Sequence, residues 1–224
     1  MKNLVNLLVP IIPCCLSALM AAEGTAPAGG TGSQASGRIV LDFAAAQALA
    51  QWQAVNDDIM GGESTGAASI TPEQHLLFTG KLSLDNNGGF VSLRSKSQPL
   101  GLTKDSIIVL RVRGDGRAYT VTLWTKGPLK NYVESAQKNE TGMEDLLNYR
   151  AGLPTKKGEW QDIELPVSIF KANLMGQELP SAGLEKPETI VSLGLGLSDH
   201  QAGPFQLEVA WFKVRGKAPV APAR

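Results

Sequence analysis

Two histidines, His75 and His200, supply all the imidazole in a chain of 224 residues. A hydrolytic triad or a histidine-based metal centre would have to recruit one of them, and they are not paired at helical spacing as metal ligands would be. His75 stands beside Gln74 at the start of an apolar run and reads as a solvated side chain. His200, in Asp199-His200-Gln201, reads as a turn residue ahead of the last strand. Cys14 and Cys15 both fall in the N-terminal apolar run, so removal of that run leaves no thiol nucleophile. No glycine-rich phosphate loop follows a strand and opens a helix. The chemistry that remains is binding, and the chain reads as non-catalytic, with no cofactor and no metal.

Three polar clusters could do that binding. The densest is Trp52, Asn56, Asp57, Asp58, Met60, Gly61, Gly62 and Ser64. Asn and Asp bond their own backbone, and paired glycines allow sharp turns and close approach. This is either a ligand or partner loop or a rigid closure of one end of the fold. The second, Asn86, Asn87, Gly88, Gly89 and Phe90 behind Asp85, with Arg94 beyond it, carries Asn-Gly between two apolar runs and reads first as a hairpin turn. Its oxygens lack the alternate spacing of a calcium loop. The third is Arg113, Asp115 and Arg117 around Gly114 and Gly116. Its arginines could hold a carboxylate or pair with Asp57 or Asp58 across the end of the fold. Trp124, Tyr132, Tyr149 and Trp160 flank a long irregular stretch and offer either a carbohydrate platform or core and edge packing.

The elements that must position these clusters are strands. Ile108, Leu110 and Val112, then Tyr119, Val121 and Leu123, then Val191 to Leu197, then Phe205 to Trp211 all alternate with polar or small residues at period two. The last two read as central. Shorter strands are expected over 38–43, 76–84, 90–94 and 160–165, separated by Gly, Asn and Pro. Helix-forming composition is confined to 44–51 and 141–147. Many short strands with long connections predict an all-β sandwich or jelly roll.

At the N-terminus, Lys2, the apolar run to Met20 and the small Ala21 and Ala22 follow the grammar of a signal peptide over 1–22. Residues 23–37 and 216–224 have the composition of a flexible linker and a disordered tail, leaving a folded unit over 38–215. The chain is then expected to be exported, periplasmic or secreted, touching a membrane only through an uncleaved leader. Basic and acidic residues balance at 21 each and are scattered, so no face is built to neutralise phosphates and nucleic acid is not a partner.

In order along the chain, Trp52, Asn56 to Ser64, Phe78-Thr79-Gly80, Asn86 to Phe90, Arg94, Arg113 to Arg117, Trp160, Leu165-Pro166 and Gly203-Pro204-Phe205 resemble the complex I intermediate-associated protein 30 family. The resemblance covers nearly all of the expected folded unit. It implies a galactose-binding-like jelly-roll β-sandwich and, in some members, a role in assembling membrane electron-transfer complexes, and it brings no catalytic residues. The expected function is a non-catalytic, chaperone-like binding or assembly-factor domain. Its partner is a protein, with membrane-complex subunits the candidates, and a carbohydrate-binding module is the alternative.

Overall fold

The computed structural model describes residues 38–216, apart from 42, 46, 126–146 and 175. Among the described residues thirteen strands form two sheets in which every strand pair is antiparallel, with 3-10 turns but no α-helix. The first sheet has the order β3 (Thr65–Ile70), β4 (Leu76–Leu82), β13 (Gly203–Arg215), β6 (Ile107–Gly114), β9 (Trp160–Pro166), with β1 (Arg38–Leu41) also pairing to β13. The second runs β11 (Gln177–Gly183), β10 (Lys171–Leu174), β8 (Leu147–Pro154), β7 (Ala118–Trp124), β12 (Ser192–Leu197), β5 (Val91–Ser95), β2 (Trp52–Asn56). This is the galactose-binding-like β-sandwich that the resemblance implies.

The inward residues are the alternating apolar sets. Phe78, Leu110, Val112, Leu207 and Val209 from one sheet meet Leu93, Tyr119, Val121, Leu123 and Leu195 from the other, all essentially inaccessible. Burying side chains of this size contributes about 1.5–3 kcal/mol each. Phe205 makes edge contacts with Phe78 at 4.9 Å and Tyr119 at 6.4 Å, which locks the sheets in register near one end. The two C-terminal strands are interior to their sheets, as the long apolar alternation predicts.

One expectation fails locally. The 44–51 segment makes only a 3-10 turn, Leu49–Gln51, because the chain must drop directly into β2. Of the 141–147 segment all but Leu147, which opens β8, lies outside the described residues. The segments expected to be a signal peptide over 1–22 and a linker over 23–37, nearly all of the expected tail over 216–224, and Tyr132 also lie outside them.

The register decides where the polar clusters go. In the second sheet Asn56, Val91, Leu197, Tyr119 and Leu153 pair in one transverse rung. In the first, Leu82 faces Gly203, Thr65 faces Lys81 and Arg113 faces Trp160. The connections β2–β3, β4–β5, β6–β7, β8–β9 and β12–β13 therefore all leave from the same end, and each crosses from one sheet to the other.

Candidate functional site: the loop end of the sandwich

Asp57 is the centre of the first cluster and is wholly buried. It lies at the start of the 3-10 turn Asp57–Met60, which Gly61 ends with φ +88°. Its Oδ1 accepts the backbone N–H of Ser64 at 2.9 Å, and its Oδ2 accepts those of Gly89 at 2.7 Å and Phe90 at 3.2 Å. Burial opposes its charge, but the hydrogen bonds from Ser64, Gly89 and Phe90 outweigh that and hold the carboxyl below the ordinary aspartate range.

The glycines serve this carboxylate. A Cβ on Gly62 would sit 2.5 Å from Asp57 Oδ1, and one on Gly88 would sit 2.7 Å from Oδ2. Around it the serines close a second layer. Ser83 N–H donates to Ser64 Oγ at 2.9 Å, Ser64 Oγ donates to the Ser83 carbonyl at 3.1 Å, and Ser83 Oγ donates to Asp85 at 3.0 Å. Asn86 donates to Glu63 at 2.9 Å. The Asn-Gly segment expected to form a hairpin turn is instead a crossover, because β4 and β5 belong to different sheets. Its two left-handed residues, Asn86 (φ 54°) and Gly89 (φ 125°), turn the chain towards Asp57.

The third cluster makes its own knot at the same end. Arg117 donates to Asp199 through Nε at 3.0 Å and Nη2 at 2.6 Å, and to the carbonyls of Pro204, Gly203 and Gln201. The side chains are 11% and 6% exposed, and the bonds to Asp199 outweigh burial to raise the guanidinium above its usual range. Burial resists the charge on Asp199, yet the Arg117 pair and the Gln201 N–H lower its carboxyl. Asp115 accepts the Tyr119 hydroxyl at 3.1 Å and the Gln206 N–H at 2.8 Å. The two knots abut, since Ser83 follows Leu82, which pairs with Gly203.

Several expected site residues stand elsewhere. Trp52, at the far end of β2, packs between Phe43 at 6.1 Å and Phe212 at 5.9 Å and belongs to the core. Arg94 lies on the outer face of the second sheet with its guanidinium 4.2 Å over the Trp124 ring, and burial lowers it to about 10. Arg113 does not reach Asp57. It donates to Glu208 at 2.6 Å, a carboxylate whose other oxygen is 2.7 Å from His75 Nδ1. His75 also meets Trp160 edge-on at 5.1 Å, so it is a half-buried partner of Glu208 rather than the solvated residue expected. Trp124 and Trp160 lie on different sheets and Tyr149 packs against the core, so these aromatics form no shared platform. Glu208, Asp199, Ser83 and Tyr119 were not anticipated as partners of the clusters. Only Asp199, a charged residue in a predicted turn, left a signal.

Among the described residues no group of three or more His, Cys, Asp or Glu side chains could hold a metal ion. What the loop end offers is a rigid surface. Asp58, Met60, Gly61, Glu63, Leu84, Asp85 and Asn86 are exposed on it, while the groups that fix it are consumed inside.

Residues 41–209 match the family model described as Complex I intermediate-associated protein 30. Two curated relatives carry that name with the word mitochondrial, from Drosophila melanogaster (26% identical over 190 residues, 76% of this chain and 60% of the relative) and from Mus musculus (26% over 194 residues, 79% and 56%). The chain thus spans less than two thirds of their length. Among solved structures, the family 11 carbohydrate-binding module of the Clostridium thermocellum cellulase Lic26A-Cel5E is 15% identical with a TM-score of 0.60, covering 84% of this chain and 99% of the module. A complex of the family 11 module from that organism with a β-1,3-1,4-mixed-linked tetrasaccharide gives 16% and 0.58, covering 82% and 97%. These likenesses agree with the sandwich fold. The mitochondrial relatives overturn the expectation of an exported, periplasmic or secreted protein.

Proposed function

The chain belongs to the complex I intermediate-associated protein 30 family, and from that membership we propose that it is a non-catalytic, chaperone-like assembly-factor domain that holds a protein subunit of a membrane electron-transfer complex at its loop end. The observation that carries this reading is the Asp57 knot. Its carboxylate takes three backbone N–H groups from two crossovers, which fixes the exposed residues of both loops before any partner arrives. Preorganised surfaces spend less of their contact energy on ordering.

Crosslinking of the native protein in its own cells, followed by mass spectrometry, tests it. Membrane-complex subunits should be captured, and Asp58→Ala together with Met60→Ser should reduce capture while the melting temperature holds. Capture of no protein would sink the reading.

Carbohydrate is the second reading. It rests on the fold shared with the family 11 carbohydrate-binding modules, one of them in complex with a tetrasaccharide. Silence on a glycan array would remove it.

A further inference from the structure

Within the loop end, whose β8–β9 connection carries Lys156 and Lys157, the β2–β3 and β4–β5 crossovers have a chemical character of their own. Segments 56–64 and 83–90 contain Asp57, Asp58, Glu63 and Asp85 and not one Lys, Arg or His, in a chain whose charges otherwise balance. Asp57 is wholly buried, whereas Asp58, Glu63 and Asp85 are exposed, Glu63 accepting from Asn86 and Asp85 from Ser83. Among these carboxylates stand two large apolar side chains, Met60 at 67% and Leu84 at 44% exposure. An apolar side chain left in water on a rigid loop gains free energy when a partner covers it, and methionine adapts to the shape of what covers it. Flexible loops could fold such residues away. Here the bonds to Asp57 and the reciprocal Ser64–Ser83 pair prevent that.

We propose that Met60 and Leu84, exposed on the same two crossovers as Asp58, Glu63 and Asp85, dock a segment of the partner protein in which apolar residues are flanked by Lys or Arg. This rests on the reading that the loop end engages a protein, and it names the chemistry of what is engaged. Charge complementarity selects the occupant: a basic segment is steered to this surface, and an acidic one is repelled. The apolar pair supplies the contact that a purely ionic, solvent-screened encounter would lack.

The test places a benzoylphenylalanine photo-crosslinker at position 60 of the full chain, and in a separate chain at Gln53, an exposed position on the outer-facing register of the edge strand β2. Crosslinked peptides are sequenced by mass spectrometry from the protein's own cells. The expected result is a peptide attached at position 60 that carries apolar residues beside at least two Lys or Arg. In chains without the photo-crosslinker, crosslinked chemically, Asp58→Lys with Glu63→Lys and Asp85→Lys should cut the yield of that partner at least ten-fold relative to wild type, and raised salt should cut it too. Met60→Ser with Leu84→Ser should also lower it, with an unchanged melting temperature. An acidic peptide at position 60, indifference to charge reversal, or capture only from position 53 overturns the proposal and leaves protein binding standing. No protein capture from either position removes both.

Discussion

Asp57 Oδ2 stands 2.7 Å from the backbone nitrogen of Gly89, 32 residues away in the chain. One carboxylate thus ties the β2–β3 crossover to the β4–β5 crossover, and the same oxygen takes Phe90 as well. Because the two crossovers belong to four different strands in two sheets, this single side chain also helps to hold the sheets together at the loop end. Its role is to build the surface, and the residues that touch a partner are its exposed neighbours.

Asp57→Asn should therefore behave as a folding variant. An amide keeps the shape but places an N–H donor where a backbone N–H now donates, leaving buried groups unsatisfied at about 1–3 kcal/mol or more. Urea unfolding should show that loss, whereas Asp58→Ala, at an exposed position, should stay within about 0.5 kcal/mol of wild type. Equal stabilities for the two variants would contradict the assignment.

Gly62→Ala and Gly88→Ala probe the same carboxylate from outside. Each new methyl would lie 2.5 Å and 2.7 Å, respectively, from an Asp57 oxygen, so the carboxylate or the loop has to move. Overpacking of this kind costs about 1–3 kcal/mol. Gly152→Ala is the control, since nothing lies within 4 Å of its added carbon; thermal denaturation should rank it well above the other two.

The strands that carry the core were legible because their alternation is strict, as in Leu193-Gly194-Leu195-Gly196-Leu197. Those that were not legible lack that contrast. β3 is Thr-Gly-Ala-Ala-Ser-Ile, an edge strand with no fully buried residue, and β8 alternates Tyr149, Ala151 and Leu153 with Arg150 and Gly152, too mixed to stand out. The polar clusters were visible as unusual composition, but their partners were not. Arg113 and Glu208 are 95 residues apart, and nothing local to either says that β6 and β13 will be neighbours. Pairing Arg113 with Asp57 was reasonable chemistry placed on the wrong strands.

That correction changes what Arg113→Ala should do. Its side chain is 44% exposed, but Glu208 beneath it is only 5% exposed, so removing the guanidinium leaves a nearly buried carboxylate with His75 as its remaining partner. A loss of about 1 kcal/mol in urea unfolding is expected at neutral pH, after allowing for solvent screening of the exposed partner. Glu208→Gln combined with Arg113→Ala should recover part of it; a strictly additive double variant would show that the two side chains do not interact.

Arg117 and Asp199 should be less forgiving. Removing one member of a buried, doubly bonded pair costs about 3–5 kcal/mol, and Arg117→Lys cannot reproduce the two parallel bonds to Asp199 while also serving the Pro204 and Gly203 carbonyls. Both Arg117→Lys and Asp199→Asn should lower the melting temperature clearly. A lysine variant as stable as wild type would mean that the carbonyl contacts contribute nothing.

The pH dependence is followed through two buried carboxylates whose titration the fold depresses, Asp57 and Asp199. In each, hydrogen bonds overcome burial, so the folded chain binds protons less readily than the unfolded chain, whose aspartates titrate near pH 4. Stability from these groups is fully present above that unfolded value and is lost as pH falls through the lower folded values. Wild type should hold nearly constant stability from neutral pH down to about 4, as far as these two groups decide it, and fall steeply below. Asp57→Asn removes one of them, so its curve should start lower at pH 7 and fall less between pH 4 and 2. Urea midpoints at pH 7, 4 and 3 compare the slopes, and parallel curves for the two proteins would show that the Asp57 carboxylate is not held ionised by Ser64, Gly89 and Phe90.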